Sequence, residues 1–324
     1  MRAAPDGRTA LMVAGAPTRP DALLRVDLHT GAHQELATAG PLPVDAAYLS
    51  EPETLTFPST EGRTVHAHLY RPANPDHAAP EGTRPPLLVN AHGGPTSSAR
   101  LGLDLKIHYW TSRGFAYLDV DYGGSGGYGR AYRQALEGRW GEVDVDDCGA
   151  AARALVARGE VDPDRLAIRG GSAGGYTTLA ALAFRDVFHA GVSYYGVSDL
   201  EMLAQETHKF ESRYFEGLVG PYPEAQPIYR ARSPLHHVSG ITRPVLFLQG
   251  EDDAVVPPNQ AEMMVDALRA AGVPVAYLSF EGEAHGFRRA DTIRAALEAE
   301  ASFYAQVFGL EPADAVAPLR VDGL

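Results

Sequence analysis

The sequence predicts an α/β protein, a mostly parallel eight-stranded sheet with helices on both faces, carrying a short β appendage at its N-terminus. Three observations lead there. From residue 86 onward, short apolar runs alternate with longer helical stretches, the pattern of a parallel sheet covered by helices. The first fifty residues read differently, as short strand candidates between turn signals. The 324 residues exceed an ordinary domain, but open α/β sheets run to about 200 to 250 residues as one unit, which leaves room for an appendage.

In chain order, strands are expected at 9–14 and 23–28, bounded by the Pro5-Asp6-Gly7 and Thr30-Gly31 turns. The Pro/Ala/Gly-rich stretch 37–47 reads as a linker, so the expected organisation is an appendage over 1–50, a main domain over 51–310 and a tail over 311–324. A hairpin, 53–57 and 64–70 around Glu61-Gly62, opens the main domain. Six further strands are expected at 87–91, 116–121, 165–169, 190–194, 245–249 and 275–280, with helices at 143–157, 173–183, 260–271 and 292–308. The sequence contains neither an internal repeat nor a low-complexity tract.

Composition narrows the function. Hydrophobic residues at 45% and charged residues at 21% suffice for a large buried core. A formal net charge of −13 without any basic run argues against a nucleic-acid partner, whose non-specific affinity comes from clustered Lys and Arg. The single cysteine, Cys148, excludes an intrachain disulfide framework and a Cys-based zinc site, as expected in a reducing cytoplasm. Asp6, Gly7 and Arg8 interrupt any signal-peptide run after Arg2, and no segment approaches the roughly 18 apolar residues of a membrane span. A soluble cytoplasmic protein with no membrane partner is expected.

The strongest chemical signal is Gly170-Gly171-Ser172-Ala173-Gly174-Gly175, between an expected strand and an expected helix. A serine hydroxyl is a weak nucleophile and must stand on a sharp turn with small neighbours, within reach of a base and a carbonyl carbon; G-x-S-x-G between strand and helix supplies that turn in the α/β-hydrolase fold. In that fold the acid and then the histidine follow on loops after later strands. Asp253 follows strand 245–249 and His285 follows strand 275–280, in that order. Asp252 is adjacent, and the motif mechanics do not choose between the two aspartates. His92-Gly93-Gly94-Pro95 follows strand 87–91, where half of an oxyanion hole is built; the backbone N–H of Ala173 supplies the other half.

Other motifs are set aside. Gly124-Ser125-Gly126-Gly127-Tyr128-Gly129 matches a dinucleotide fingerprint, but that fingerprint usually occupies the first βα turn of its domain, and here an earlier strand carries His-Gly-Gly-Pro. His236-His237 is an adjacent pair, unsuited to chelating one metal. Asp144, Asp146 and Asp147 open an expected helix, where they favour its dipole. No cofactor and no metal are expected.

Together, Asn90 to Pro95, Asp121 to Arg130, Gly170 to Gly175, Asp253 with Val255-Val256-Pro257, and His285-Gly286-Phe287 resemble the catalytic domain of the prolyl oligopeptidase family, in its acylaminoacyl-peptidase and dipeptidyl-peptidase-like branch. The likeness spans about residues 53–308. It implies a serine peptidase acting on short peptides, with Ser172, Asp253 and His285 as triad and Gly94 and Ala173 as oxyanion donors. It chooses Asp253 over Asp252, places Tyr194, Tyr195 and Val197 in the wall of an apolar side-chain pocket, and gives the insert 207–222 a covering role. A carboxylesterase would use the same triad. Relatives carry a complete β-propeller before this domain, whereas the first fifty residues here resemble only its last strands. The resemblance therefore implies either a piece of a larger peptidase, with a non-catalytic fragment as the rival reading, or a lost size filter. Unpaired edges of a partial blade invite pairing with another copy of the chain, a homo-oligomer.

Overall fold

A computed structural model describes residues 1–206, 213–312 and 314–324. The described residues form two sheets. The first is antiparallel, with β1 (Arg2–Ala3), β2 (Thr9–Ala16), β3 (Arg19–Asp27) and β4 (His33–Thr38) side by side in sequence order. The second comprises β5 (Glu53–Pro58), β6 (Thr64–Tyr70), β7 (Leu87–Ala91), β8 (Ala116–Asp121), β9 (Leu166–Gly171), β10 (Ala190–Tyr194), β11 (Val245–Gly250) and β12 (Val275–Phe280). Its spatial order is β12-β11-β10-β9-β7-β8-β6-β5. Only the pairings of β6 with β5 and β8 are antiparallel; the others are parallel. This is the expected fold class.

The central strands are apolar on both faces because both faces are covered. On β7, Leu87, Val89 and Ala91 face one core while Leu88 faces the other, the period-2 alternation of a strand. The first core takes most of its helical residues from α3 (Val143–Ala157), α4 (Ala173–Phe184) and α8 (Asn259–Ala270). The second lies under α1 (Leu105–Thr111) and α9 (Ala290–Phe308), where Trp110 packs edge-on against Tyr304 at 5.5 Å between ring centres. The described residues also form short helices, α2 (Arg130–Gln134) and, between β10 and β11, α5 (Leu200–Glu206), α6 (Tyr214–Leu218) and α7 (Gln226–Arg232). Among the described residues no helix is long and apolar enough to cross a membrane.

Several elements depart from the sequence reading. Strand β4 begins before the expected linker and overlaps its first residues; all six of its residues are exposed, so no apolar alternation marks it, and pairing with β3 makes it a strand. Helix α1 is too short for a periodic signal and is set by its N-cap, the Asp104 carboxylate accepting from Lys106 N at 2.9 Å. The expected tail folds back on the large sheet, Val275 and Asp322 exchanging backbone hydrogen bonds of 3.0 and 2.9 Å beside the edge strand β12.

Candidate active site

Strand β9 runs directly into α4 through Ser172, whose backbone sits at φ 57°, ψ −119°, a conformation that L-residues rarely adopt. The turn survives because its neighbours are small. A Cβ on Gly170 would stand 2.6 Å from Ala91 O, one on Gly174 would overlap that same oxygen, and one on Gly175 would stand 2.6 Å from Gly196 Cα. The Ser172 N–H donates to Tyr194 O at 2.9 Å, fastening the turn to β10.

After β11 the chain turns so that Asp253 is 4% exposed. Its Oδ1 accepts the N–H groups of Val255 and Val256, both at 2.9 Å, and its Oδ2 accepts from His285 Nδ1 at 2.8 Å. Asp252 is exposed, with its backbone N–H on Glu283 O, so Asp253 is the member of the pair that meets the histidine. The His285 ring lies edge-on against Tyr195, 5.0 Å between centres, and Tyr195 in turn covers Gly171, one residue before the serine. Tyr195 itself has φ 39°. The Ser172 loop and the Asp253–His285 pair thus share one aromatic neighbour.

The turn after β7 comes from the other side. A Cβ on Gly93 would lie 3.0 Å from Gly171 O and 3.6 Å from Ser172 Cβ, so this turn touches the serine loop. Gly94 has φ 122° and its carbonyl accepts the Tyr214 hydroxyl at 3.0 Å. Ala173 is the first residue of α4, where backbone N–H groups have no intrahelical acceptor. His92 is buried, which holds its imidazole below the ordinary histidine range. Its Nε2 lies 2.7 Å from Ser125 Oγ, and its ring stacks on Tyr122 at 4.3 Å.

That contact accounts for the dinucleotide-like motif. Ser125 braces the His92 turn, Gly124 packs against Leu136, and the helix after the motif has only five residues. Asp144 and Asp147 do more than face a helix dipole. Asp144 is buried and accepts Gly141 N at 2.7 Å and Thr177 Oγ1 at 2.6 Å, while Asp147 accepts Gly123 N at 2.8 Å and Arg63 Nη2 at 3.0 Å. His236 sits 3.3 Å from the Asp199 carboxylate, and His237 packs on Phe184.

A cleft of about 1020 Å³ opens beside these loops, lined by Gly93, Gly94, Gly171, Tyr195 and Phe287 and, from the small sheet, by Pro20 and Asp21. The three residues expected in a pocket wall differ. Tyr195 lines the cleft with Phe287, 5.4 Å between ring centres. Tyr194 lines it too, but its hydroxyl donates to Glu300 Oε2 at 2.5 Å. Val197 is 2% exposed inside the first core. Of the insert 207–222, residues 207–212 lie outside the described residues; Tyr214, just beyond them, reaches Gly94 O and Thr96 Oγ1. Asp119 also lines the cleft, 6% exposed, with Oδ1 accepting from Asn90 Nδ2 at 2.9 Å, and burial pushes its carboxyl up to about 6. The sequence reading missed Asp119 and Arg169; their only signal was a charge inside an apolar strand.

Known proteins resemble this chain along most of its length. A profile of the prolyl oligopeptidase family matches residues 102–311. Dipeptidyl aminopeptidase BIII of Pseudoxanthomonas mexicana is 31% identical over 314 residues, 94% of this chain and 45% of that protein. The acylamino-acid-releasing enzyme of Arabidopsis thaliana is 33% identical over 218 residues, 64% of this chain and 28% of that protein. Among solved structures, a puromycin-hydrolyzing peptidase of Mycobacterium tuberculosis superposes with a TM-score of 0.93 at 50% identity, covering 98% of this chain and 48% of that one. The chain therefore spans about half the length, or less, of the relatives it matches. A family profile over about two thirds of the chain, on this fold, establishes that the protein belongs to the prolyl oligopeptidase family.

Proposed function

We propose that the chain is the catalytic part of a serine-type peptidase that hydrolyses short peptides, acylaminoacyl- or dipeptidyl-peptidase-like. The observation that carries this reading is the 2.8 Å bond from His285 Nδ1 to Asp253 Oδ2, with the other carboxylate oxygen fixed by two backbone N–H groups. A carboxylate on Nδ1 keeps the proton there and leaves Nε2 as the base. His285 takes the proton of Ser172 as its oxygen attacks the substrate carbonyl. The N–H groups of Gly94 and Ala173 stabilise the oxyanion, and the imidazolium protonates the leaving amine. Water then attacks the acyl-enzyme by the same route in reverse. Tyr195 and Phe287 favour an apolar substrate side chain.

The same reading places the protein in the cytoplasm, in keeping with its one cysteine, which is buried. The fully exposed strand β4 offers an edge for pairing with a second copy of the chain.

Fluorophosphonate labelling tests the nucleophile: it is expected in the native protein and absent in Ser172→Ala, and labelling that persists in the variant removes the assignment. Turnover of an acyl-amino-acid anilide against a p-nitrophenyl ester separates peptidase from esterase. Puromycin belongs in the same panel, since a 50% identical relative is named for hydrolysing it.

A further inference from the structure

A buried ion pair lies behind the serine turn. Arg169, three residues before Ser172, donates Nε–H to Glu300 Oε1 at 2.7 Å and Nη2–H to Glu300 Oε2 at 3.1 Å. Glu300 projects from α9 and has no exposed surface. Its carboxylate also accepts the hydroxyls of Tyr194, at 2.5 Å, and Tyr304, at 2.9 Å. The remaining arm of the guanidinium donates to Tyr117 OH at 3.0 Å and reaches Asn90 Oδ1 at 3.4 Å.

The strand residues linked to this helix carboxylate stand on four neighbouring strands, β8, β7, β9 and β10; Asn90, Arg169 and Tyr194 lie close to the ends of theirs, and Tyr117 near the start of β8. Asn90 is followed by the His92-Gly93-Gly94 turn and Arg169 by the serine turn. Tyr194 supplies the carbonyl that receives the Ser172 N–H. Helix α9 starts five residues after His285. One carboxylate is thus bonded, directly or through one partner, to the strands that lead into the Ser172 and Gly94 turns, and it stands on the helix that follows His285.

Stability alone does not account for such a pair, because apolar residues of similar volume commonly replace a buried ion pair without loss. What an ion pair with fixed hydrogen-bond directions adds over apolar packing is a single geometry. We propose that Glu300 is a positioning residue of the active site. Through Arg169 and Tyr194 it fixes the ends of β9 and β10, and with them the place of Ser172 relative to Gly94 and His285. This rests on the reading of Ser172 as the nucleophile.

Two variants test it, Arg169→Met/Glu300→Leu and Tyr194→Phe, each measured for kcat, KM, fluorophosphonate labelling rate and Tm. The double variant removes both charges and keeps an apolar filling; Tyr194→Phe removes one hydroxyl and keeps the ring. With Tm near that of the native protein, the double variant is expected to lose kcat and labelling rate by on the order of 10- to 100-fold, the effect of a displacement of about 1 Å, with KM within about twofold. Tyr194→Phe is expected to lose a smaller factor in the same two quantities. A double variant with native kcat and labelling rate overturns the proposal, as does a change confined to KM. If the double variant does not fold, native kcat in Tyr194→Phe overturns it. Ser172→Ala runs alongside: labelling of that variant removes the nucleophile itself, whereas its loss together with native rates in the network variants removes only the role of Glu300.

Discussion

Replacing Asp253 by Asn tests the acid–base half of the site without emptying space. In the native protein Oδ1 accepts two backbone N–H groups at 2.9 Å and Oδ2 accepts from His285 Nδ1. An asparagine must keep its carbonyl oxygen on those two N–H groups, since turning its NH2 toward them sets donors against donors and costs about 1–3 kcal/mol for each unmet group. The NH2 then faces Nδ1 and donates to it. That forces the ring proton onto Nε2, the nitrogen that has to accept from Ser172. A triad histidine held in the wrong tautomer loses about 10⁴ in kcat, which at 1.36 kcal/mol per decade is about 5.5 kcal/mol of barrier. The assay is steady-state turnover of an acyl-amino-acid p-nitroanilide, with Tm measured on the same preparation. KM should move little, and Tm should stay close to native because the two loop hydrogen bonds survive. A kcat within tenfold of native would refute the reasoning, as would a loss matched by unfolding.

Three further outcomes follow from the structure. Ser172→Gly should be more stable than Ser172→Ala by about 1 kcal/mol in urea denaturation, because glycine removes the strain at φ 57° that alanine keeps; equal stabilities would mean the turn is relaxed. Gly174→Ala should destabilise by about 1–3 kcal/mol or fail to fold, since its methyl would overlap Ala91 O, and a native Tm would contradict the close approach of α4 to β7. Asp119→Asn should stabilise at neutral pH: a carboxyl raised from 3.8 to about 6 by burial penalises the folded state increasingly as pH rises through that interval, to about 3 kcal/mol above it, and not at all below about 4. Denaturation at pH 7.5 and pH 4 should show a gain at the first and none at the second; a gain of equal size at both would place its origin elsewhere.

What the sequence made legible follows from where physics leaves few choices. The serine turn could be read because a strand that enters a helix through one sharply bent residue admits glycine alone at 170 and 174, with Ala91 O in the way of anything larger. The central strands could be read because burial on both faces demands nearly continuous apolar runs, interrupted here only at a few positions such as Asn90, Asp119 and Arg169. Asp252 and Asp253 could not be separated on motif mechanics, since the choice lies in which carboxylate meets the N–H groups of Val255 and Val256, a matter of backbone direction. Strand β4 was missed because all of its residues are exposed and pairing with β3 alone makes it a strand. Arg169 and Glu300 were missed because their partnership spans 131 residues of sequence.

The strained serine turn and the buried polar network meet at the same strand end. A residue at φ 57° persists only where its surroundings over-determine it. Here the surroundings can be named: the Ser172 N–H on Tyr194 O, the glycine contacts of α4 with β7 and Gly196, and Arg169 locked to Glu300 just upstream. Each of these constraints comes from a different element, and the turn keeps its geometry only with all of them in place. A charge pair in a layer that apolar packing would otherwise fill serves the same end. Apolar contacts are non-directional and would let β9 slide by fractions of an ångström, whereas a two-point guanidinium–carboxylate contact fixes both distance and plane.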